Sequence, residues 1–256
     1  MAESKATTQP TAESKFPSEM IDLPSGGKLY PKGSPLRSGK IEIKYMTARE
    51  EDILTSQNLI KKGLVIDSLL NALIVDKSIN VKDLFLGDKN AIMVAARILA
   101  YGPEYTVEMS SPVSGDRKTH TFNLSELDYK SLPDDIKYDK NEFSYKLPFS
   151  GLDITYKILN GIDEDNIEKE LKALDKIGTS KEITTRLKKA VISINGETDA
   201  AVINAGVENM IARDSLAFRK EITRITPDIL LEQTIEMEGE EVTVDIPMAA
   251  SFFWPT

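Results

Sequence analysis

The residues that could do chemistry in this chain are few, and they lie far apart. Ser111-Pro112-Val113-Ser114-Gly115 has the outline of a zinc knuckle, Cys-Pro-x-Cys-Gly, with serine at both ligand positions. Neutral hydroxyls are poor zinc ligands, so Ser111 and Ser114 mark either a metal site this chain has lost or an ordinary polar turn. Gly26-Gly27-Lys28 invites a phosphate-loop reading, but the GxxxxGK[ST] spacing is absent and Leu29 stands where the metal-binding hydroxyl belongs. Asp163-Glu164-Asp165-Asn166 starts like a calcium loop but lacks the glycine and the closing bidentate glutamate at the required offsets. There is no Cys and one His, His120. That excludes disulfides, thiolate chemistry and His-rich metal sites, and argues against a Ser-His-Asp triad. The acidic pairs Glu50-Glu51 and Asp134-Asp135 fall on expected helix starts or loops, where solvated carboxylates are the ordinary case. No Gly-x-Ser-x-Gly elbow and no dinucleotide fingerprint is present. The chain therefore reads as a non-enzyme, with no cofactor and no metal.

Composition narrows the class of partner. The 256 residues are 41% hydrophobic and 29% charged, which suits one large globular domain or two small ones. No apolar run approaches the ~18 residues of a membrane span. Met1-Ala2-Glu3-Ser4-Lys5 has no apolar core before a cleavage site, so it does not read as a secretory signal. A net charge of −9 repels a phosphate backbone. Protein partners are favoured over nucleic acid or membrane.

The elements that must position these residues can be read in order. Residues 1–20 form a polar tail with too little apolar surface to offset its ordering entropy. Leu23 to Pro31 is a loop in which two prolines bracket Gly26-Gly27, anchored by Leu23, Leu29 and Tyr30. Ile41, Ile43 and Tyr45 alternate as a short strand. Thr47-Ala48-Arg49-Glu50 has the capping-box form and starts a helix running to about Asn58. Ile66, Leu69, Leu70, Leu73 and Ile74 trace the stripe of a second helix. A third is expected from an Asp88 N-cap to Gly102-Pro103. Arg97 in it is either a buried, ion-paired residue or a side chain snorkelling at the helix edge, and the residues favour the second.

Strands at Tyr105–Met109 and Thr119–Phe122 make a hairpin turning near Gly115. Two short strands flank Pro148 to Gly151. A helix follows over Asp163–Ile177, then a segment from Glu182 that starts helical and ends extended near Ile194. Asp199–Ile225 is the longest helical pattern, one helix or two meeting at Asp214. Asp214 either pairs with Arg219 or caps the helix and leaves Arg219 to seek a partner. A hairpin with its turn at Glu238-Gly239-Glu240 closes the fold. The aromatic end, Phe252, Phe253 and Trp254, is either folded back as a plug or offered to a partner.

The expected fold class is α+β: a mainly helical body, a central β-hairpin insertion, a C-terminal β-hairpin and a disordered tail. The expected divisions are a tail over 1–20, a loop, strand and helices over 21–103, a β-rich insertion over 104–160, and a helical region with its hairpin and aromatic tail over 161–256. The candidate interaction residues are Gly26, Gly27, Tyr30, Arg97, Asp214, Arg219, Phe252, Phe253 and Trp254.

Several stretches in this order and spacing resemble the T4-type bacteriophage baseplate family. They are Leu23-Pro24-Ser25-Gly26-Gly27-Lys28-Leu29-Tyr30-Pro31, the run Ile43 to Leu54, Leu84-Phe85-Leu86-Gly87-Asp88-Lys89, Arg97 to Gly102, Arg213-Asp214-Ser215-Leu216-Ala217-Phe218-Arg219, and Phe252-Phe253-Trp254-Pro255. The likeness covers roughly residues 21–256. It implies a non-enzymatic protein of tail assembly that binds baseplate hub or other tail proteins in the host bacterial cytoplasm. A stoichiometric hub subunit in the virion tail is the alternative it allows, and an enzyme with an unrecognised site is a distant third. Relatives often carry a Cys-Pro-x-Cys-Gly knuckle where this chain has Ser111 to Gly115, so the resemblance implies no metal role here. The tail reading predicts that removing residues 1–19 leaves thermal stability unchanged.

Overall fold

The computed structural model describes residues 17–111, 114–176, 181–248 and 250–253. Most of the expected tail and Trp254 lie outside them. Strand β1 (Ser18–Asp22) pairs antiparallel with β2 (Lys40–Lys44), Ser18 opposite Lys44 and Asp22 opposite Lys40. This corrects the tail boundary, because Ser18 to Met20 belong to a strand. Ladder hydrogen bonds hold them, which composition cannot report. A deletion meant to spare the fold must therefore stop short of Ser18.

Ile41 and Ile43 face the core as their alternation requires. The Glu50 carboxylate accepts from the Thr47 amide at 3.0 Å and from its hydroxyl at 2.6 Å, fixing the start of α1 (Ala48–Thr55). Helix α2 (Gln57–Lys62) continues after Ser56 and stops at Gly63. Helix α3 (Val65–Leu73) buries Leu69, Leu70 and Leu73, and Ile74 bridges to Ile43 beside β2. Helix α4 (Leu86–Tyr101) follows, apolar on most sides and buried. Asp88 is not its N-cap: Phe85 holds that place and Asp88 sits in the first turn. The hairpin of β3 (Glu104–Ser110) and β4 (Arg117–Asn123) and a 3-10 turn at Leu124–Glu126 come next.

The rest of the chain repeats this order. Strands β5 (Phe143–Lys146) and β6 (Asp153–Tyr156) pair as β1 and β2 do. Helix α5 (Gly161–Asp175) takes the place of α1 and α2. Helix α6 (Glu182–Ala190) has nine residues, as α3 has. Strand β7 (Val191–Ile194) pairs with β6 where Ile74 bridges to β2. Helix α7 (Ala200–Glu208) precedes α8 (Ala212–Ile225), the counterpart of α4. The long helical pattern is thus two helices, parted at Asn209–Ile211 rather than at Asp214. A second hairpin, β8 (Glu232–Met237) and β9 (Glu240–Asp245), and a 3-10 turn at Ala250–Phe253 end the order.

Local chemistry repeats as well. The amide of Leu23 donates to Gly39 at 2.8 Å and that of Leu147 to Leu152 at 2.9 Å, each just before a Pro. Thr47 and Glu50 form one capping box, Asn160 and Asp163 the other. Lys44 pairs with Glu50 and Lys157 with Asp163, both at 2.8 Å and both six residues apart. After each hairpin the chain closes alike, Leu124 N to Pro103 O at 2.8 Å and Ile246 N to Leu231 O at 2.9 Å. Two copies of one ββα unit, each followed by a hairpin, account for the α+β class.

The halves share one core and meet by backbone. Gly161 N donates to Leu84 O at 3.0 Å, and Phe85 bridges to Asn160. Gly87 lies against the segment after α8, where a Cβ would stand 2.1 Å from Pro227 O. Nothing lies within 4 Å of a Cβ at Gly33. Gly87→Ala is therefore expected to cost about 3 kcal/mol or more, because rigid backbone must move. Gly33→Ala is expected to be nearly neutral. Urea denaturation of the two variants checks the contrast, and equal midpoints would remove the close approach as a constraint.

Candidate interaction surfaces

The anchored loop closes onto α4 through a single carboxylate. Asp88 Oδ1 accepts from the Ser25 amide at 2.9 Å, and Oδ2 accepts from the Ser25 hydroxyl at 2.7 Å and the Tyr30 hydroxyl at 2.6 Å. Tyr30 Oη in turn accepts from the Phe85 amide at 3.2 Å, satisfying the helix N-cap residue. Burial pushes the Asp88 carboxyl above its ordinary range, against the pull of its Tyr30 and Ser25 donors, and pushes the Tyr30 phenol up too. Gly26 and Gly27 take φ of 55° and 74°, and a Cβ on Gly27 would meet Gly39 N at 2.5 Å. Tyr30 and Gly27 are buried.

Asp214 does the same work in the second half. It is fully buried in the first turn of α8, and its oxygens accept from the amides of Phe149 and Ser150, each at 2.9 Å. Burial raises its pKa, and the hydrogen bonds from Ser150 and Phe149 outweigh that and leave it below the ordinary value. It neither caps its own helix nor pairs with Arg219. Arg219 is exposed and takes no hydrogen bond or ion pair among the described residues.

Arg97 departs from the snorkelling expectation. It is 3% exposed, and its partners are carbonyls rather than a carboxylate: Nε to Phe252 O at 3.0 Å, with longer bonds to Gly102 and Glu104. Its guanidinium lies 5.0 Å from the Tyr101 ring centroid. The Tyr101 hydroxyl donates to Glu51 at 2.9 Å, and its pKa is pushed up to about 12 by burial and by that carboxylate. Phe252 and Phe253 are fully buried, Phe252 edge-on to Tyr105.

Ser111 and Ser114 face a carboxylate and no metal ligand set. Both hydroxyls donate at 3.0 Å to Glu238, at the tip of the β8–β9 hairpin, and Lys118 Nζ stands 3.2 Å from it. The tips of the two hairpins are thereby joined. Three donors converging on one carboxylate do not fit a cation there, and among the described residues no group of three His, Cys, Asp or Glu could hold one. Sequence reading missed Glu238 because its partners lie across the chain; the repeated hairpins were the available signal.

A groove of about 610 Å³ runs between α6 and α8. Leu86, Leu159, Ile183 and Ile222 line it, with Glu164, Arg186, Arg219 and Thr223. Arg186 is occupied by Glu164 and Glu182. Of the residues proposed from sequence, Arg219 alone lines it; the others described are spread over the loop, α4, the start of α8 and the C-terminal turn.

By class, this is a repeat-built α+β protein whose inward polar clusters serve the fold. No described helix is long and apolar enough to cross a membrane. The chain belongs to the family described as T4 bacteriophage base plate protein, which matches residues 17–251. Neither a curated protein nor a solved structure matches it.

Two outcomes are expected. Asp88→Ala leaves three donors without an acceptor and should cost on the order of 3 kcal/mol, with Asp88→Asn losing roughly a third as much; urea midpoints report both. The Glu238 carboxyl is held below its ordinary range by Lys118 and the two serines. A lowered folded pKa contributes fully above the ordinary value of about 4.3 and is lost as pH falls through the lowered one. The difference in Tm between wild type and Glu238→Gln should be full at neutral pH and shrink as pH falls below the ordinary carboxylate range and through the lowered pKa.

Proposed function

We propose that this baseplate-family protein acts without catalysis in assembly of the baseplate hub, binding hub or other tail proteins in the host bacterial cytoplasm. The observation that carries this reading is the apolar groove between α6 and α8, which Leu86 of the first half also lines. Leu86 and Ile183 line it and are 55% and 49% exposed. An apolar groove with charged side chains at its rim is a layout that suits a protein contact. Net charge of −9 points the same way, toward protein and away from nucleic acid. The inward-facing Asp88, Asp214, Arg97 and Glu238 clusters supply no convergent reactive set.

The family's description as base plate protein favours a second reading, a stoichiometric hub subunit retained in the virion tail. Mass spectrometry of purified particles beside affinity recovery from infected cells separates the two. Absence from the particle, with a hub protein recovered, is the expected result for an assembly factor. A fixed copy number in the particle makes it a subunit. Recovery of neither, with the protein folded and abundant, defeats both.

A further inference from the structure

The two halves differ at one place where a surface is left open. In the first half, Tyr101 fills the space between the end of α4 and the start of α1. Its hydroxyl donates to Glu51 at 2.9 Å and faces Met46 Sδ at 3.9 Å, and Arg97 lies over its ring. The residues in the same places of the second half are Glu164 for Glu51, Leu159 for Met46 and Thr223 for Arg97. All three line the groove between α6 and α8. The place of Tyr101 is taken by Pro227, which is not among the residues lining this groove and carries no aromatic ring to fill it. The groove is thus the vacant counterpart of a socket that the first half fills with its own tyrosine.

We propose that this groove is a docking site for a segment of another tail protein that presents a Tyr or Phe side chain flanked by carboxylates. The aromatic ring takes the place that Tyr101 takes in the first half, over Leu159 and Ile222. The flanking acid pairs with Arg219, an exposed guanidinium that has no partner among the described residues, at the groove's edge. Arg219 is the cation open to such an acid, because Arg186, the other one in the groove, already holds Glu164 and Glu182. An aromatic anchor in an apolar socket with a charged rim is the usual energetic layout of such contacts. The identity of the occupant as a tail protein rests on the function proposed above; the aromatic and acidic chemistry does not.

The test is a methyl NMR titration of the full chain with synthetic pentapeptides. The probe is Glu-Ala-Tyr-Ala-Glu, capped at both ends, compared with the same peptide carrying Ala for Tyr or Lys for both Glu. Expected are saturable shifts at Ile183 and Ile222 with the probe and none with the alanine peptide. Arg219→Glu, an exposed position that should leave the fold intact, is expected to weaken the probe at least roughly threefold. Pro227→Tyr restores the internal plug and should abolish the shifts if the variant folds; Thr223→Trp fills the groove from an exposed position and serves if it does not. Absence of shifts at millimolar probe, or equal shifts with all three peptides, overturns the groove as an aromatic socket. That failure leaves the assembly reading standing, because particle composition and affinity recovery test it separately.

Discussion

A buried carboxylate in the first turn of a helix, bound by a loop from the other end of its own unit, is the constraint on which the rest depends. Asp88 and Asp214 both occupy this place, and both are fully buried. A carboxylate without a cation is costly to bury. The cost is offset by donors that have no other acceptor, the amides of the Leu-Pro loops, and by the positive end of the helix behind them. The first half adds the hydroxyls of Ser25 and Tyr30. Each carboxylate thus fixes the angle between a hairpin and a helix far along the chain. Each pair of strands is short and would be marginal alone.

From that constraint the two halves diverge in ways that follow their surroundings. The first loop is long and brings Tyr30 back to Asp88, which closes the loop over the first turn of α4. The second is cut short at Gly151 and leaves Phe149 55% exposed beneath Arg213. Helix α4 is apolar around most of its circumference and serves as the central support. Helix α8 keeps a polar face with Arg219, Lys220 and Thr223 outward. Both units contribute to the one core, and the helix of the second keeps an open polar face.

The hairpins show the same economy. A knuckle with cysteines would tie its tip to a metal. Here serines stand at those positions, and a glutamate from the opposite hairpin accepts from both. The join is polar, partly exposed and dependent on charge, so it is a weaker tie than a metal would make.

The sequence by itself determined the elements. Periodicity located most helices and both late hairpins but not β1 or the break at Ser56; the capping box at Thr47 and Glu50 formed, and Gly26-Gly27 took the left-handed backbone their loop needed. These depend on neighbours within about one turn, so local composition carries them. It also held the repeat, in Leu23-Pro24 against Leu147-Pro148 and in two capping boxes, though the differing loop lengths hid it. Partners were decided only by the tertiary structure. Asp88 reads as a cap until Ser25 and Tyr30 fold over it, and Arg97 reads as a surface residue until Phe252 brings its carbonyl from the far end of the chain. Asp214 reads as a partner of Arg219 or as a helix cap until two amides claim it. Hydrogen bonds to buried charges are set by what lies within about 3 Å in space. In this chain those groups come from segments far apart in sequence.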